Sequence, residues 1–167
     1  MEIGFSLGSN LGDRFKFLKT ARDLLTNLEN TKLIAQSSIY STSPVDVKSE
    51  YKTTSYYNCI IILESLISLN SWWKEICLIE SFLGRKRSKE INIPRTIDID
   101  LIYADSNIIN SDDLIIPHPR WFKRKFVLKP LCEVRPDLVL PNNNYKVKSI
   151  LKNLSSDEEI ILIHKNW

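Results

Sequence analysis

The 167-residue chain is 43% hydrophobic and 26% charged with only four glycines, which fits one globular domain over residues 1–167 with its own core and excludes a fibrous or disordered chain. Its three cysteines share no C-x-x-C spacing, which gives no disulfide framework and no thiolate zinc site. The longest apolar run, CIIIL at 59–63, is too short for a membrane span, and the start MEIGFSLGSN lacks the order of a secretory signal, so a soluble cytoplasmic protein is expected. The net charge of +3 is small, but positive residues bunch in GRKRSK (84–89) and RWFKRK (120–125). Either run alone reads as a solvated loop; the two together point to an anionic partner.

In chain order, residues 3–7 read as a first strand that stops at Gly8 and enters the loop GSNLGD. Phe17, Leu18, Ala21, Leu24, Leu25 and Leu28 then fall on one stripe of a 3.6-residue period, predicting a helix with Asp13 as its N-cap. Residues 32–42 are expected as one strand ended by Pro44, and residues 57–65, rich in β-branched side chains, as a central strand. The long segment between them has the length of a loop that is either functional or disordered. From Ser71 the spacing of Trp72, Ile76, Ile79 and Leu83 predicts a second helix closed by Gly84, with Glu80 beside the apolar stripe. A fourth strand, TIDIDLIY, follows, then a turn at ADSN, an extended LIIPHP, a helix-like KRKFVLKPLCEV broken by Pro130 and Pro136, and a closing strand EIILIH. Strand, helix, strand, strand, helix, strand is the α+β, ferredoxin-like (βαββαβ) order. It predicts an antiparallel sheet with helices on one face, additional C-terminal elements, and a second face free to carry a site.

The chemistry concentrates in the fourth strand. Alternation turns Ile97, Ile99, Leu101 and Tyr103 one way and Thr96, Asp98 and Asp100 the other, so the two carboxylates are neighbours on one row, about 6.6 Å apart along the strand. Such a pair is either the polar face of a half-solvated strand or a seat for two Mg²⁺ ions roughly 3.5–4 Å apart. Arg95 lies just upstream of it, and Arg85 and Arg87 follow the end of the second helix, which adds donors for phosphate oxygens. No G-x-x-x-x-G-K-[ST] is present, so phosphates would be held by side chains and not by a P-loop. His118, between two prolines, is either a further phosphate contact or proton donor, or an ordinary loop residue.

Six collinear blocks, GSNLGDR, YSTSPV, YYNCII, ESFLGR, PRTIDIDLI and IPHPRWFKRKFVLKPL, resemble the 6-hydroxymethyl-7,8-dihydropterin pyrophosphokinase family of folate biosynthesis from about residue 3 to 136. The resemblance implies diphosphate transfer from ATP to the hydroxymethyl group of a reduced pterin, with release of AMP and two Mg²⁺ ions. It implies Asp98 and Asp100 as metal ligands, Arg85 and Arg95 as catalytic-loop arginines, and His118 and Arg124 as holders of the ATP phosphates. Glu80 would belong to the nucleotide site, where Arg87 would also act. Tyr56 and Phe126 would sandwich the pterin, Asn58 would read its edge, and Thr42 would contribute main-chain contacts. A monomer that binds no nucleic acid or membrane is implied as well.

The chain departs from the family pattern ahead of Pro94, where Ile91, Asn92 and Ile93 replace more basic, small or aromatic residues. No metal ligand is affected. The loops 44–55 and 85–93 are expected to close over the substrates. Two rivals fit parts of the same pattern. A ferredoxin-like nucleic-acid-binding module would need the aromatic RNP string, which is missing, and its phosphates would meet two aspartates. A two-metal phosphohydrolase would need more carboxylate or histidine ligands than Glu80 supplies.

Overall fold

The computed structural model describes residues 1–44, 54–85, 93–141 and 143–167. Strand β1 (Glu2–Ser9) runs into helix α1 (Arg14–Thr26), where the Asp13 carboxylate accepts the Lys16 N–H at 3.0 Å, so the expected N-cap is in place. The single strand expected over 32–42 is instead two, β2 (Thr31–Gln36) and β3 (Ile39–Thr42). The break has a cause in Ser37 and Ser38. The Ser37 hydroxyl accepts the Ile60 N–H at 2.9 Å, and Ser38 gives its N–H and hydroxyl to the Glu133 carboxylate, so both serines divert hydrogen bonds from the ladder.

Strand β4 (Tyr56–Ser65) is central, and helix α2 (Leu69–Phe82) begins two residues before Ser71 because the Ser68 side chain caps the Ser71 N–H. Strand β5 (Asp98–Ala104) follows, then the short pair β6 (Ile109–Asn110) and β7 (Ile115–Ile116) and one 3-10 turn at Trp121–Lys123. Helix α3 (Lys125–Val134) is not broken by Pro130. Val127, Leu128 and Leu131 are fully buried, each stabilising by about 1.5–3 kcal/mol, which offsets the hydrogen bond that proline removes. Helix α4 (Val147–Asn153) was not foreseen, and β8 (Ile160–His164) closes the chain where EIILIH predicts it.

The main sheet is antiparallel in the order β5-β1-β4-β3-β8, with β2 also paired to β4. Its first face carries Ile3, Phe5, Leu7, Cys59, Ile61 and Leu63 into a core shared with α1 and α2 through Leu18, Leu25, Trp72 and Ile76. The expectation that helices cover one face only is corrected. Ile60, Ile62, Ile102 and Tyr103 turn to the second face, and α3 and α4 cover them with Val127, Leu128, Leu131 and Val147. These side chains are too apolar to leave in water.

Tyr103 reaches that face against simple alternation. Phe5 pairs with Leu101 but Gly4 with Tyr103, so one extra residue in β5 shifts the register there. The aromatic ring then lies over Gly4, where a Cβ would stand 2.2 Å from Tyr103 Cε1. Only glycine fits beneath it. Among the described residues, no helix is long and apolar enough to cross a membrane.

Candidate active site

Among the described residues the covering layer on the second face stops short of one end of the sheet, and the strands place polar groups there. Gly8 of β1 pairs with Asp98 on one side and Asn58 on the other, and Ser6 pairs with Asp100, so the carboxylates and the amide share one end of one face. A cavity of about 440 Å³ opens over them. Gly8, Thr42, Tyr56 and Asn58 line it from the strands, Arg85 and Arg95 from the two ends of the connection between α2 and β5, Arg120 and Lys123 from the 3-10 turn, and Arg124 and Phe126 from the start of α3. A Cβ on Gly8 would lie 2.8 Å from Asn58 Oδ1, so the amide approaches the backbone closely at that point. Asn58 is buried and donates from Nδ2 to Thr42 Oγ1 at 2.8 Å, which sets the orientation of its amide.

Arginines gather on the carboxylate pair. Arg95 Nη1 donates to Asp98 Oδ2 at 3.0 Å, Arg85 Nη1 reaches Asp98 Oδ1 at 2.6 Å, and Arg124 Nη1 donates to Asp100 Oδ2 at 3.2 Å. Burial, and then the neighbouring Asp98 charge, push the Asp100 carboxyl up to about 7, against the pull of Arg124 and Arg85. Among the described residues no set of three or more His, Cys, Asp or Glu side chains is arranged to hold a metal. Two same-face carboxylates instead suit a hard divalent cation that completes its oxygen shell from phosphate and water.

His118 turns its Nε2 to Asp100 Oδ2 at 3.8 Å while Nδ1 accepts the Arg120 N–H at 3.2 Å, which leaves the ring proton on Nε2. Burial, with the charges of Arg124 and Arg120, lowers its pKa to about 4, so the imidazole is neutral near pH 7. It does not line the main cavity. His118 instead lines a second hollow of about 210 Å³ with Trp73, Ile76, Ile99, Leu114 and Pro119, and Asp100 borders both spaces.

Of the residues expected from sequence, Thr42, Tyr56, Asn58, Arg85, Arg95, Asp98, Asp100, Arg124 and Phe126 meet in one cavity, with His118 next door. Burial raises the Tyr56 phenol pKa. Glu80 stands apart from the lining. It is buried at the end of α2, accepts the Ile99 N–H at 2.9 Å on the open edge of β5, and pairs with Arg85. It therefore aims Arg85 and ties helix to strand. Arg87, Ile91 and Asn92 lie outside the described residues, as do most of the two loops expected to close; Ile93 is described, and its carbonyl accepts from Arg95 Nε at 3.3 Å.

Sequence reasoning missed several contributors. The buried Asn10 accepts the Arg95 N–H on Oδ1 at 2.7 Å and gives its own N–H to the Arg95 carbonyl at 3.2 Å, clamping that arginine's backbone. Arg14 stacks on Tyr57 at 3.9 Å and donates to the Ser55 carbonyl at 2.9 Å, steadying the entry to β4. Both belong to GSNLGDR, whose two glycines and turn-forming Ser, Asn and Asp at the end of a strand were the available signal. Arg120 and Lys123 were visible only as members of a basic run.

Residues 4–136 match the profile of the family described as 7,8-dihydro-6-hydroxymethylpterin-pyrophosphokinase (HPPK). The chain is 32% identical over 157 residues to the Haemophilus influenzae 2-amino-4-hydroxy-6-hydroxymethyldihydropteridine pyrophosphokinase, an alignment that covers 94% of this chain and 95% of that protein. It is 36% identical over 152 residues to the folic acid synthesis protein fol1 of Pneumocystis carinii, covering 91% of this chain and 20% of that one. The chain thus spans about a fifth of the length of such fol1 proteins. In fold it is similar to the crystal structure of wild-type Plasmodium falciparum HPPK-DHPS with pteroate, with a TM-score of 0.69 at 14% identity over 90% of this chain and 42% of that one.

Proposed function

The chain belongs to the 7,8-dihydro-6-hydroxymethylpterin-pyrophosphokinase family, and we propose that it transfers the terminal diphosphate of ATP to the hydroxymethyl oxygen of 6-hydroxymethyl-7,8-dihydropterin, releasing AMP. One observation carries this reading: Asp98 and Asp100 sit side by side on one end of a sheet face, beneath a cavity, with three arginines already hydrogen-bonded or ion-paired to them. The domain is one pyrophosphokinase unit over residues 1–167. The strand order β5-β1-β4 with β2 and β3 beyond, and α1 and α2 on a single face, supports the ferredoxin-like reading.

In this proposal the pterin occupies the larger cavity, stacked between Tyr56 and Phe126, with the Asn58 amide supplying a donor and an acceptor to its edge. The adenine end of ATP takes the smaller hollow, where Trp73, Ile76 and Ile99 offer apolar surface. The polyphosphate then runs past Asp100, which borders both spaces. Two Mg²⁺ ions held by Asp98 and Asp100, when bound, would neutralise the phosphate oxygens and ease deprotonation of the attacking hydroxyl. Arg85 and Arg95 exchange the Asp98 oxygens for those of the transferring group, where planar donors match the charge that builds in the transition state. Arg124 and neutral His118 hold the remaining phosphate oxygens. Stacking and the amide fix the hydroxymethyl group in line, so no side chain needs to be a strong base.

One chain supplies every residue named, so a monomer suffices for the chemistry and nucleic acid has no part in it. The three free cysteines support a reducing, cytoplasmic setting. The test is AMP formation from Mg-ATP with and without 6-hydroxymethyl-7,8-dihydropterin. AMP is expected only when the pterin is present; phosphate release that ignores the pterin means a hydrolase instead.

A further inference from the structure

We propose that Glu158 is a positioning residue for the pterin site, and that residues 156–159 form a tie that sets the aromatic wall of the larger cavity against its strand wall. The proposal rests on the reading of that cavity as the pterin site. The tie lies beyond residues 4–136, which match the family profile, and Glu158 lines neither hollow, so it acts through what it holds.

One wall is the start of α3, which carries Arg124 and Phe126 with the guanidinium 5.4 Å from the ring centre. A helix leaves its first N–H groups without intrahelical acceptors, and the N-cap here is Arg124, whose side chain only donates. Glu158 supplies the missing acceptors from 32 positions beyond Phe126. Its Oε2 accepts the Phe126 N–H at 3.0 Å, its Oε1 the Lys125 N–H at 3.4 Å, and its carbonyl accepts from Lys125 Nζ at 2.9 Å. The Ser156 hydroxyl accepts the Glu158 N–H at 3.2 Å, which fixes the turn from which the carboxylate reaches α3. The next residue grips the other wall. Ser43 donates its N–H to the Glu159 carbonyl at 3.2 Å and its hydroxyl accepts the Glu159 N–H at 3.2 Å, and Thr42 and Ser43 both line the cavity. Two consecutive residues therefore hold the two walls. Burial raises the Glu158 carboxyl above its ordinary value of 4.5, against the lowering by the Lys125 and Phe126 N–H groups, so its charge adds little net stability. What the carboxylate supplies is the placement of the Phe126 backbone, and with it the ring.

Amide hydrogen exchange read by NMR, beside steady-state kinetics at saturating Mg-ATP, tests this on the full chain. Glu158→Ala is expected to speed exchange of the Lys125 and Phe126 amides and to raise the pterin KM, each about tenfold, with a smaller change in kcat. Glu158→Gln keeps an acceptor oxygen and should recover most of both effects. Phe126→Ala raises the pterin KM by itself, and adding Glu158→Ala should then change it little, because the tie works through that ring. Unchanged exchange at Lys125 and Phe126, an unchanged pterin KM in Glu158→Ala, or additive effects of the two substitutions overturns the proposal. A wild-type chain that forms no pterin-dependent AMP faults the pterin reading instead, and the exchange rates still decide whether Glu158 holds the start of α3.

Discussion

The second face of the sheet has two ends made from the same strands. At one end Ile60, Ile62, Ile102 and Tyr103 lie under α3 and α4; at the other, among the described residues, Asn58, Asp98 and Asp100 line a cavity. Two residues along β4 separate Asn58 from Ile60, and two along β5 separate Asp100 from Ile102, so the change from polar to apolar side chains falls within one alternation step on each strand. The lesson is that the C-terminal helices serve stability at one end and position Arg124 and Phe126 at the other. Chemistry and packing are therefore separable by mutation.

The largest expected effect is at the cavity end. Asp98→Ala should lower turnover about a thousandfold or more while leaving thermal unfolding close to wild type, since its charge is spent on arginines and cations and not on core packing. Arg95→Ala should lower kcat about a hundredfold with a smaller change in KM, because its contribution grows as charge builds on the transferring group. Steady-state kinetics beside calorimetry checks both. If either change costs stability and turnover in proportion, the two ends are not separable.

The covered end should respond in the opposite way. Leu128→Ala is expected to destabilise by about 2–5 kcal/mol in chemical denaturation, with kcat/KM little changed at low temperature. Gly8→Ala sharpens the boundary, since its methyl would push Asn58 Oδ1 aside and should raise the pterin KM roughly tenfold with kcat for bound substrate nearly intact.

The smallest effect concerns Glu2, remote from the cavity. Hydrogen bonds from Arg135, and then from the Tyr103 hydroxyl, hold its carboxyl below the ordinary value of 4.5 against the opposing effect of burial. A folded pKa that is lowered gives stability above about pH 4.5 that is lost as the pH falls through the folded value. Glu2→Gln should therefore lower the melting temperature slightly at neutral pH and flatten its fall below pH 4.5, with turnover unaffected.

Much of this division was legible in the sequence. Strict alternation in TIDIDLI put both aspartates on one face, and the 3.6-residue stripes of α1 and α2 assigned the first layer. Where local pattern failed, a distant side chain had intervened. Glu133 draws Ser38 out of the ladder and splits one expected strand into β2 and β3. The shift opposite Gly4 moves Tyr103 to the face that alternation denied it. Glu80 reads from sequence as a site residue, yet its carboxylate is committed to the Ile99 N–H and Arg85, which only the packing of α2 against the β5 edge reveals. Asn10 is hidden for the same reason, since its partner Arg95 lies 85 positions away.

The most direct test of the account is cation binding at the cavity end, measured as loss of the free Mn²⁺ resonance in the presence of a non-hydrolysable ATP analogue. Wild type and Leu128→Ala should both take up Mn²⁺ with the nucleotide, and Asp98→Asn with Asp100→Asn should not. Equal uptake by the double variant would place the metal elsewhere and contradict the role given to this carboxylate pair.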